Sequence, residues 1–430
     1  MKSTRKSAER PCVIVGNSVA GTAAIEAIRL IDRTRPIVVI DRDRCGLYSR
    51  PLISYFLEGR ADDALLRLRP DGFHARMGVR MILGRTVTAI DPARRSVRLD
   101  NGRCIAYGNL LLAIGAEPVR PAIDGLDGAG VLTFTTWDDA LALKKAVRKG
   151  QGTVVIGAGL IGIKAAEGLK SLGSKVAIVE LGDRPLPAVL DREAGKIAAA
   201  RIRKQGVRLL LSKRVRAVRR KNGAVAAAVL DGGEEIPCVC VVVAVGVRPR
   251  IGLCRAAKIK TKTGILVDRR MATSVEGVYA AGDVTEAAAL AGGRRNIPIW
   301  PLAYAQGAVA GAQMAGGNAV CQRGVPMNSI EIFGLPLIAL GETAGEERGG
   351  EVLVARSKAD AAVYKKLVLR DNHIVGALFL GEIERAGIVG GLIRDAVDVG
   401  AFKDELLKES LGYIYVPKQY RERHISPLEV

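Results

Sequence analysis

Aromatic residues are scarce in this 430-residue chain, at 4% of positions. Its core must be assembled from Ala, Val, Leu and Ile, a composition that suits parallel sheets buried on both faces. Long apolar runs are absent. The longest, Val239 to Val247, has the length of a strand and falls far short of the roughly 18 residues that span a bilayer. Met1 to Pro11 is polar and basic, lacks the apolar segment of a signal peptide, and reads as a mobile tail. A cytoplasmic protein with no membrane association is expected. Paired cysteine motifs are missing too. Cys12, Cys45, Cys104, Cys238, Cys240, Cys254 and Cys321 are odd in number and scattered, without CxxC or CxxxxC spacing. That excludes a disulfide framework and a zinc site, so no metal is expected and the thiols read as reduced.

Basic charge is what the chain has in excess: 65 Lys plus Arg against 44 Asp plus Glu, a net +21. Such a surface favours acidic partners and speeds their arrival. The charge is spread along the sequence with no dense block, which argues against a dedicated nucleic-acid site. Compositional bias alone would give the same spread. The length exceeds one compact core and fits two or three domains.

An internal repeat organises the chain. Cys12 to Gly21 (CVIVGNSVAG) and Thr153 to Gly162 (TVVIGAGLIG) are each an apolar strand entering a glycine-rich turn. Helix-period segments follow at Thr22 to Ile31 and Ile163 to Leu172, then apolar strands ending in an acid, Ile37 to Asp41 and Lys175 to Glu180. Each unit can hold a dinucleotide. Glycines let backbone approach a pyrophosphate, the helix N-terminus offers free amides, and the terminal acid accepts ribose hydroxyls. The first site is expected at Gly16, Ser18, Ala20, Gly21 and Asp41, with serine standing at the middle glycine. The second is expected at Gly157, Gly159, Ile161, Gly162 and Glu180. Glu180 favours NADH, because a carboxylate repels the 2′-phosphate of NADPH. Arg184 is close enough in sequence to weaken that preference.

Asn109 to Gly115, Cys238 to Gly246 and Val278 to Asp283 read as central strands ending in cofactor-side turns. After Arg323 the pattern changes: Ser329 to Leu340, Ala362 to Leu369 and His373 to Leu380 read as strands, followed by helical segments from Ile383 to Leu411.

The order of the two glycine-rich units with Leu112 to Pro118 (LAIGAEP), Ala244 to Pro249 (AVGVRP) and Tyr279 to Val284 (YAAGDV) resembles the pyridine nucleotide-disulfide oxidoreductase superfamily. The resemblance covers residues 12–320. It implies two doubly wound Rossmann-like α/β domains plus a C-terminal α+β domain. The FAD domain would span 1–121 and 247–322, the NAD domain 122–246, and the C-terminal domain 323–430. Further FAD contacts are then implied at Ala113, Gly115, Gly246, Gly282 and Asp283. A helix within Ile299 to Gly317, entered through Pro301, Leu302 and Ala303, would face the flavin. Tyr48 to Tyr55 (YSRPLISY) is similar to the FAD-contact segment of rubredoxin and ferredoxin reductases and NADH-dependent nitrite reductases, which implicates Arg50 and Pro51. Tyr364 to Leu380 and Glu384 to Lys408 resemble oxidoreductases associated with anaerobic carbon monoxide dehydrogenase. The resemblance implies an FAD-dependent enzyme that moves hydride between NAD(H) and flavin and exchanges electrons with an acidic ferredoxin or rubredoxin. NADH oxidase or peroxidase, CoA-disulfide reductase, and a basic flavoprotein binding nucleic acid are the rivals. A homodimer stays open.

Two departures from the family stand out. The single flavin-facing cysteine of disulfide-reducing members would fall near Pro51, not at Cys45, and none of His74, His373 and His424 sits in the His…Glu arrangement that protonates a thiolate. Thiol chemistry is therefore not expected. Related reductases also pair a Lys after the Arg-Pro segment with a Glu after the third glycine of the second unit. Here those positions hold Tyr55 and Lys164. A lysine in the first turn of a helix opposes the helix dipole, which marks Lys164 either as functional or as an exposed surface residue.

Overall fold

In a computed structural model the chain is described at residues 10–343, 350–357, 360, 362–418 and 421. The basic segment 1–9 and His424 lie outside the described residues. Two five-stranded parallel sheets share the order of four strands and differ in the fifth, an edge strand that comes last in the chain in the first sheet and first in the second. The first runs Val278–Ala280, Asn109–Leu112, Cys12–Val15, Ile37–Asp41, Val79–Leu83. The second runs Val131–Leu132, Cys240–Val243, Gly152–Ile156, Lys175–Val179, Arg208–Leu210. Strands Cys12–Val15 and Cys240–Val243 are wholly buried, which explains why they read as continuous aliphatic runs. Each unit also carries a three-stranded antiparallel sheet, formed from residues 87–106 and 215–237 respectively. Two crossing strands, Ala116–Pro118 and Val247–Pro249, pair antiparallel between the units.

The helices start where the glycine turns end, Val19–Ile31 and Leu160–Ser171. A third helix, Trp300–Met314, lies directly on Val19–Ile31. A Cβ on Gly307 would sit 2.1 Å from the Ala20 carbonyl oxygen, and one on Gly311 would sit 2.3 Å from that of Ala24. These two glycines bring backbone against backbone, and so carry the N-terminus of Trp300–Met314 to the first glycine turn.

The C-terminal unit is an antiparallel sheet in the order Met327–Ile332, Leu335–Gly341, His373–Leu380, Tyr364–Arg370, Glu351–Arg356. The segment expected as one strand from Ser329 to Leu340 is a hairpin. Phe333 (φ 48°) and Gly334 (φ 77°) form its two-residue turn, the left-handed pair that matches strand twist. The helical stretch expected from Ile383 to Leu411 contains one α-helix, Ala386–Arg394, and a 3₁₀ turn at Gly400–Glu405. The chain turns left-handed at Ala396 (φ 47°), just past that helix. Alternation sorts the sheet faces: Leu337 and Ala339 pack toward the second dinucleotide unit, whereas Leu340, Leu367 and Phe379 pack under helix Ala386–Arg394. Lys366, 3% exposed, pairs with Asp191 at 3.2 Å across this junction, and the Tyr364 hydroxyl donates to the same carboxylate at 2.7 Å. Among the described residues no helix is long and apolar enough to cross a membrane, and no group of three His, Cys, Asp or Glu could hold a metal ion.

Candidate functional site

One cavity of about 2090 Å³ runs past both glycine turns, about twice the volume of an ordinary ligand pocket. Its wall includes Gly16, Ser18, Ala20, Asp41, Arg50, Pro51, Tyr55, Ala113 and Gly115 from the first part of the chain. Gly157, Gly159, Ile161, Lys164, Glu180 and Gly246 follow from the middle, then Gly282, Asp283 and Ala303. Gly21, Gly162, Pro301 and Leu302, also expected as contacts, do not line it. For the two glycines the reason is steric: a Cβ on Gly21 would lie 2.1 Å from the Gly16 carbonyl oxygen, and one on Gly162 would lie 2.0 Å from that of Gly157. They let the helix pack on its own turn rather than admit a ligand. Leu302 packs against the first core.

The two turns are built alike. Gly16 (φ 111°) and Gly157 (φ 102°) bend where a Cβ would strike the Ala113 or Ala244 carbonyl. Around Gly159, where a Cβ would meet nothing within 4 Å, there is room for a phosphate. Each terminal acid clamps its own turn. Asp41 accepts hydrogen bonds from the amides of Asn17 at 2.5 Å and Asp43 at 2.9 Å, and Glu180 accepts from those of Ala158 and Gly182, both at 2.7 Å. Arg184 turns away from Glu180, to Asp183 and the Leu190 carbonyl. Lys213, Arg214 and Arg216 line the cavity instead, and Lys213 donates its amide to the Glu180 carbonyl.

The geometry fits an FAD on the first turn. Asn17 is 4% exposed and its Nδ2 has no hydrogen-bond partner, a buried donor suited to a pyrophosphate oxygen; His74 Nε2 lies 2.9 Å from its Oδ1. Burial, then the nearby Arg42, holds the Arg250 guanidinium below its ordinary value, so cations converge on this end of the cavity. Burial, opposed by Arg50, holds the Asp283 carboxyl above the ordinary carboxylate range. Arg50 is anchored to Asp43 at 2.9 Å and to the Thr135 carbonyl at 3.1 Å. Gln306 accepts from the Gly282 amide at 2.8 Å and from the Thr285 hydroxyl at 3.0 Å, tying helix Trp300–Met314 to the loop that carries Asp283.

Lys164 is the fifth residue of its helix, past the first turn, so the expected conflict with the helix dipole does not arise. Nor is it an exposed lysine. Its side chain is 16% exposed, ion-paired with Glu167 and 3.6 Å from Glu58, and its Nζ stands 5.4 Å from the centre of the Tyr55 ring. Glu167 was legible as an i,i+3 partner; Glu58, distant in sequence, was not. Ser329, Ile330 and Glu331 of the C-terminal sheet also reach the cavity wall, which no motif announced.

Cys45 sits on an exposed loop and is not among the residues lining the cavity. Partial burial of its sulfur, then Asp43 and Asp138, pushes the thiol up to about 11, so it stays protonated and unreactive at neutral pH. Cys45→Ser should therefore leave NADH-driven dye reduction and FAD content within about twofold of the parent; a loss of turnover with FAD retained would return the thiol to the chemistry.

Paired sheets, paired glycine turns and one shared cavity define a two-dinucleotide reductase. The chain belongs to the pyridine nucleotide-disulphide oxidoreductase family, whose model matches residues 10–307. A second model, the rubredoxin NAD+ reductase C-terminal domain, matches residues 326–397. The chain is an NAD(H)-dependent oxidoreductase using FAD. It is 32% identical to the NADH-dependent phenylglyoxylate dehydrogenase subunit epsilon of Aromatoleum evansii, over 93% of this chain and 95% of that protein. It is 30% identical to the biphenyl dioxygenase system ferredoxin–NAD(+) reductase component of Paraburkholderia xenovorans, over 90% of this chain and 94% of that one. Its fold is similar to that in the covalent putidaredoxin reductase–putidaredoxin complex, with a TM-score of 0.86 at 22% identity, covering 93% of this chain and 96% of that one.

Proposed function

We propose that the chain moves electrons between NADH and a one-electron iron–sulfur protein of ferredoxin or rubredoxin type. The observation that carries this reading is the single cavity lined by both glycine turns, with Tyr55 and Lys164 on the wall between them. The relatives support it, one being named a ferredoxin–NAD(+) reductase component and another one subunit of a larger dehydrogenase. In this reading, residues 1–121 and 247–322 hold FAD and 122–246 hold NAD(H). Bound flavin supplies the conversion of a two-electron hydride into single electrons. The protein's part is positioning. The first turn, Asn17 and Arg50 take the pyrophosphate side, Asp41 and Glu180 take ribose hydroxyls, and Asp283 takes the flavin chain. The N-terminus of helix Trp300–Met314 offers partial positive charge to the reduced ring. Lys164 places a cation on the hydride side, where the family sets a lysine on the other domain. The resemblance of the tail is what supports a link to carbon monoxide dehydrogenase.

Iron–sulfur carriers of this type are commonly acidic, and this chain carries +21. Opposite charges should raise the on-rate far above the roughly 10⁵–10⁶ M⁻¹s⁻¹ of uncharged pairs. Salt screens that attraction, with a Debye length of about 10 Å at 0.1 M. Stopped-flow electron transfer to ferredoxin and rubredoxin should slow steeply along a salt series, while reduction of a small neutral quinone barely changes. Slow transfer to both proteins at low salt, beside fast consumption of oxygen, would replace this reading with an NADH oxidase.

A further inference from the structure

Behind the cofactor cavity lies a second cavity of about 330 Å³, bordered by Glu58, Arg60, Glu167, Lys170 and Glu331. Its rim carries the exposed Arg60 and Ser171, so it opens to solvent. Only a thin wall separates the two. Lys164 lines the first cavity, Glu58 and Glu167 line the second, and Lys164 is ion-paired with Glu167 and 3.6 Å from Glu58. The two glutamates have side chains only 8% and 7% exposed. A buried carboxylate pair around one lysine is costly to keep for stability alone, where apolar packing serves as well or better.

Resting on the two-cofactor reading above, we propose that Lys164, Glu167 and Glu58 form a proton exit from the flavin side of the cofactor cavity to the second cavity. The chemistry requires one. NADH delivers two electrons and one proton as hydride. Two oxidised one-electron carriers take the electrons singly, giving NAD⁺, two reduced carriers and one H⁺ to be released from the flavin side. The Lys164 ammonium passes a proton to Glu167 or to Glu58 and takes up the departing one; whichever carboxyl received the proton then releases it to water in the second cavity. One complete passage returns the cluster to its starting charge. The groups facing Glu167 are Lys164 on its own helix and Glu58 from the first unit; the Phe333 amide of the C-terminal sheet donates to its Oε1. Arg60 pairs with Glu58 at 3.1 Å and reaches Glu331 at 3.7 Å, and Lys170 stands at the border. Burial, opposed chiefly by Lys164, raises the Glu167 carboxyl above its ordinary value, which favours its taking a proton from the lysine.

The test uses the FAD-loaded full chain and its Glu167→Gln and Glu58→Gln variants. Each is reduced with one equivalent of NADH and mixed with ferricyanide, with a pH indicator following proton release. In the parent, one proton should appear with flavin reoxidation. In Glu167→Gln the ratio of the reoxidation rate to the NADH-reduction rate should fall at least tenfold, with proton release delayed to match and a raised solvent deuterium isotope effect. Millimolar acetate or imidazole, small enough to enter the second cavity, should restore the ratio, which repair of a merely misfolded site would not. Glu58→Gln should give a smaller fall. Light-driven reduction without NADH should also shift a carboxyl infrared band that Glu167→Gln lacks. An unchanged ratio in both variants, or a fall that no weak acid or base rescues, overturns the exit. A parent protein whose flavin NADH does not bleach overturns the two-cofactor reading instead.

Discussion

Flavin reduction by NADH should outpace that by NADPH in the parent, and replacing Glu180 by arginine should reverse the preference. In the parent, both carboxylate oxygens are already engaged, by the amides of Ala158 and Gly182, each at 2.7 Å. That fixes the carboxylate at the end of its strand with its remaining lone pairs free for ribose hydroxyls. Hydrogen bonds to a charged group contribute about 1.5–3 kcal/mol, so losing them should lower kcat/KM for NADH roughly 10- to 100-fold. The opposing gain is prepared by the surroundings. Lys213, Arg214 and Arg216 line the same cavity, and Lys213 hydrogen-bonds the Glu180 backbone. With the carboxylate present, its repulsion of a 2′-phosphate, about 4 kcal/mol at close contact in a protein-like dielectric, outweighs those more mobile cations. With arginine in its place the repulsion is gone and a fourth cation joins Lys213, Arg214 and Arg216 in attracting the phosphate. Glu180→Gln should fall between the two, keeping one acceptor and losing the repulsion. The measurement is kcat/KM for flavin reduction by both nucleotides in all three proteins. A Glu180→Arg variant that still prefers NADH would move the selector to another residue.

Local patterns made the repeat legible. A buried parallel strand, a glycine turn and an acid at the next strand's end lie within one strand–helix–strand unit, so Gly16 to Asp41 and Gly157 to Glu180 could be read without a fold. Helix Trp300–Met314 was expected from the family resemblance rather than from local pattern. What stayed hidden depends on contacts between distant segments. The roles of Gly21 and Gly162 follow from helix packing, not ligand contact. Gln306 matters because two helices meet backbone to backbone at Gly307 and Gly311. The setting of Lys164 is the clearest case: its sequence position invited a dipole argument, whereas its partners come from the first unit (Glu58) and from one turn along its own helix (Glu167). The hairpin at Phe333–Gly334 was missed because Phe is an unusual left-handed turn residue.

Replacing Lys164 by glutamate should be the most damaging single change at this site, to stability as well as to the flavin. The variant gathers three carboxylates where Glu58 and Glu167 are already more than nine-tenths buried. Carboxylates in contact repel by about 4 kcal/mol per pair at an effective dielectric of 20, so they cannot all stay ionised. Removing the partner of a buried ion pair costs about 3–5 kcal/mol, and the added charge puts this variant at the upper end. The sign of the pH dependence follows from Glu167. Burial already raises its carboxyl, with Lys164 the main opposing influence, so losing that cation raises it further. A carboxyl with a raised folded-state pKa contributes stability below its unfolded value of 4.5 and loses it as pH rises through the folded value. Denaturant midpoints should therefore rank parent above Lys164→Met above Lys164→Glu near neutrality, and converge as the solution is acidified. The flavin potential should follow the same order. Electrons entering beside uncompensated carboxylates are disfavoured, and each 1.4 kcal/mol lowers a two-electron potential by about 30 mV. The two readouts separate two roles. A variant destabilised near neutrality but unchanged in potential would make Lys164 a prop for the Glu58–Glu167 pair with no influence on the flavin. A lowered potential with full stability would mean that the carboxylates find water when the lysine is gone, and that the ammonium acts chiefly on the flavin across the cavity.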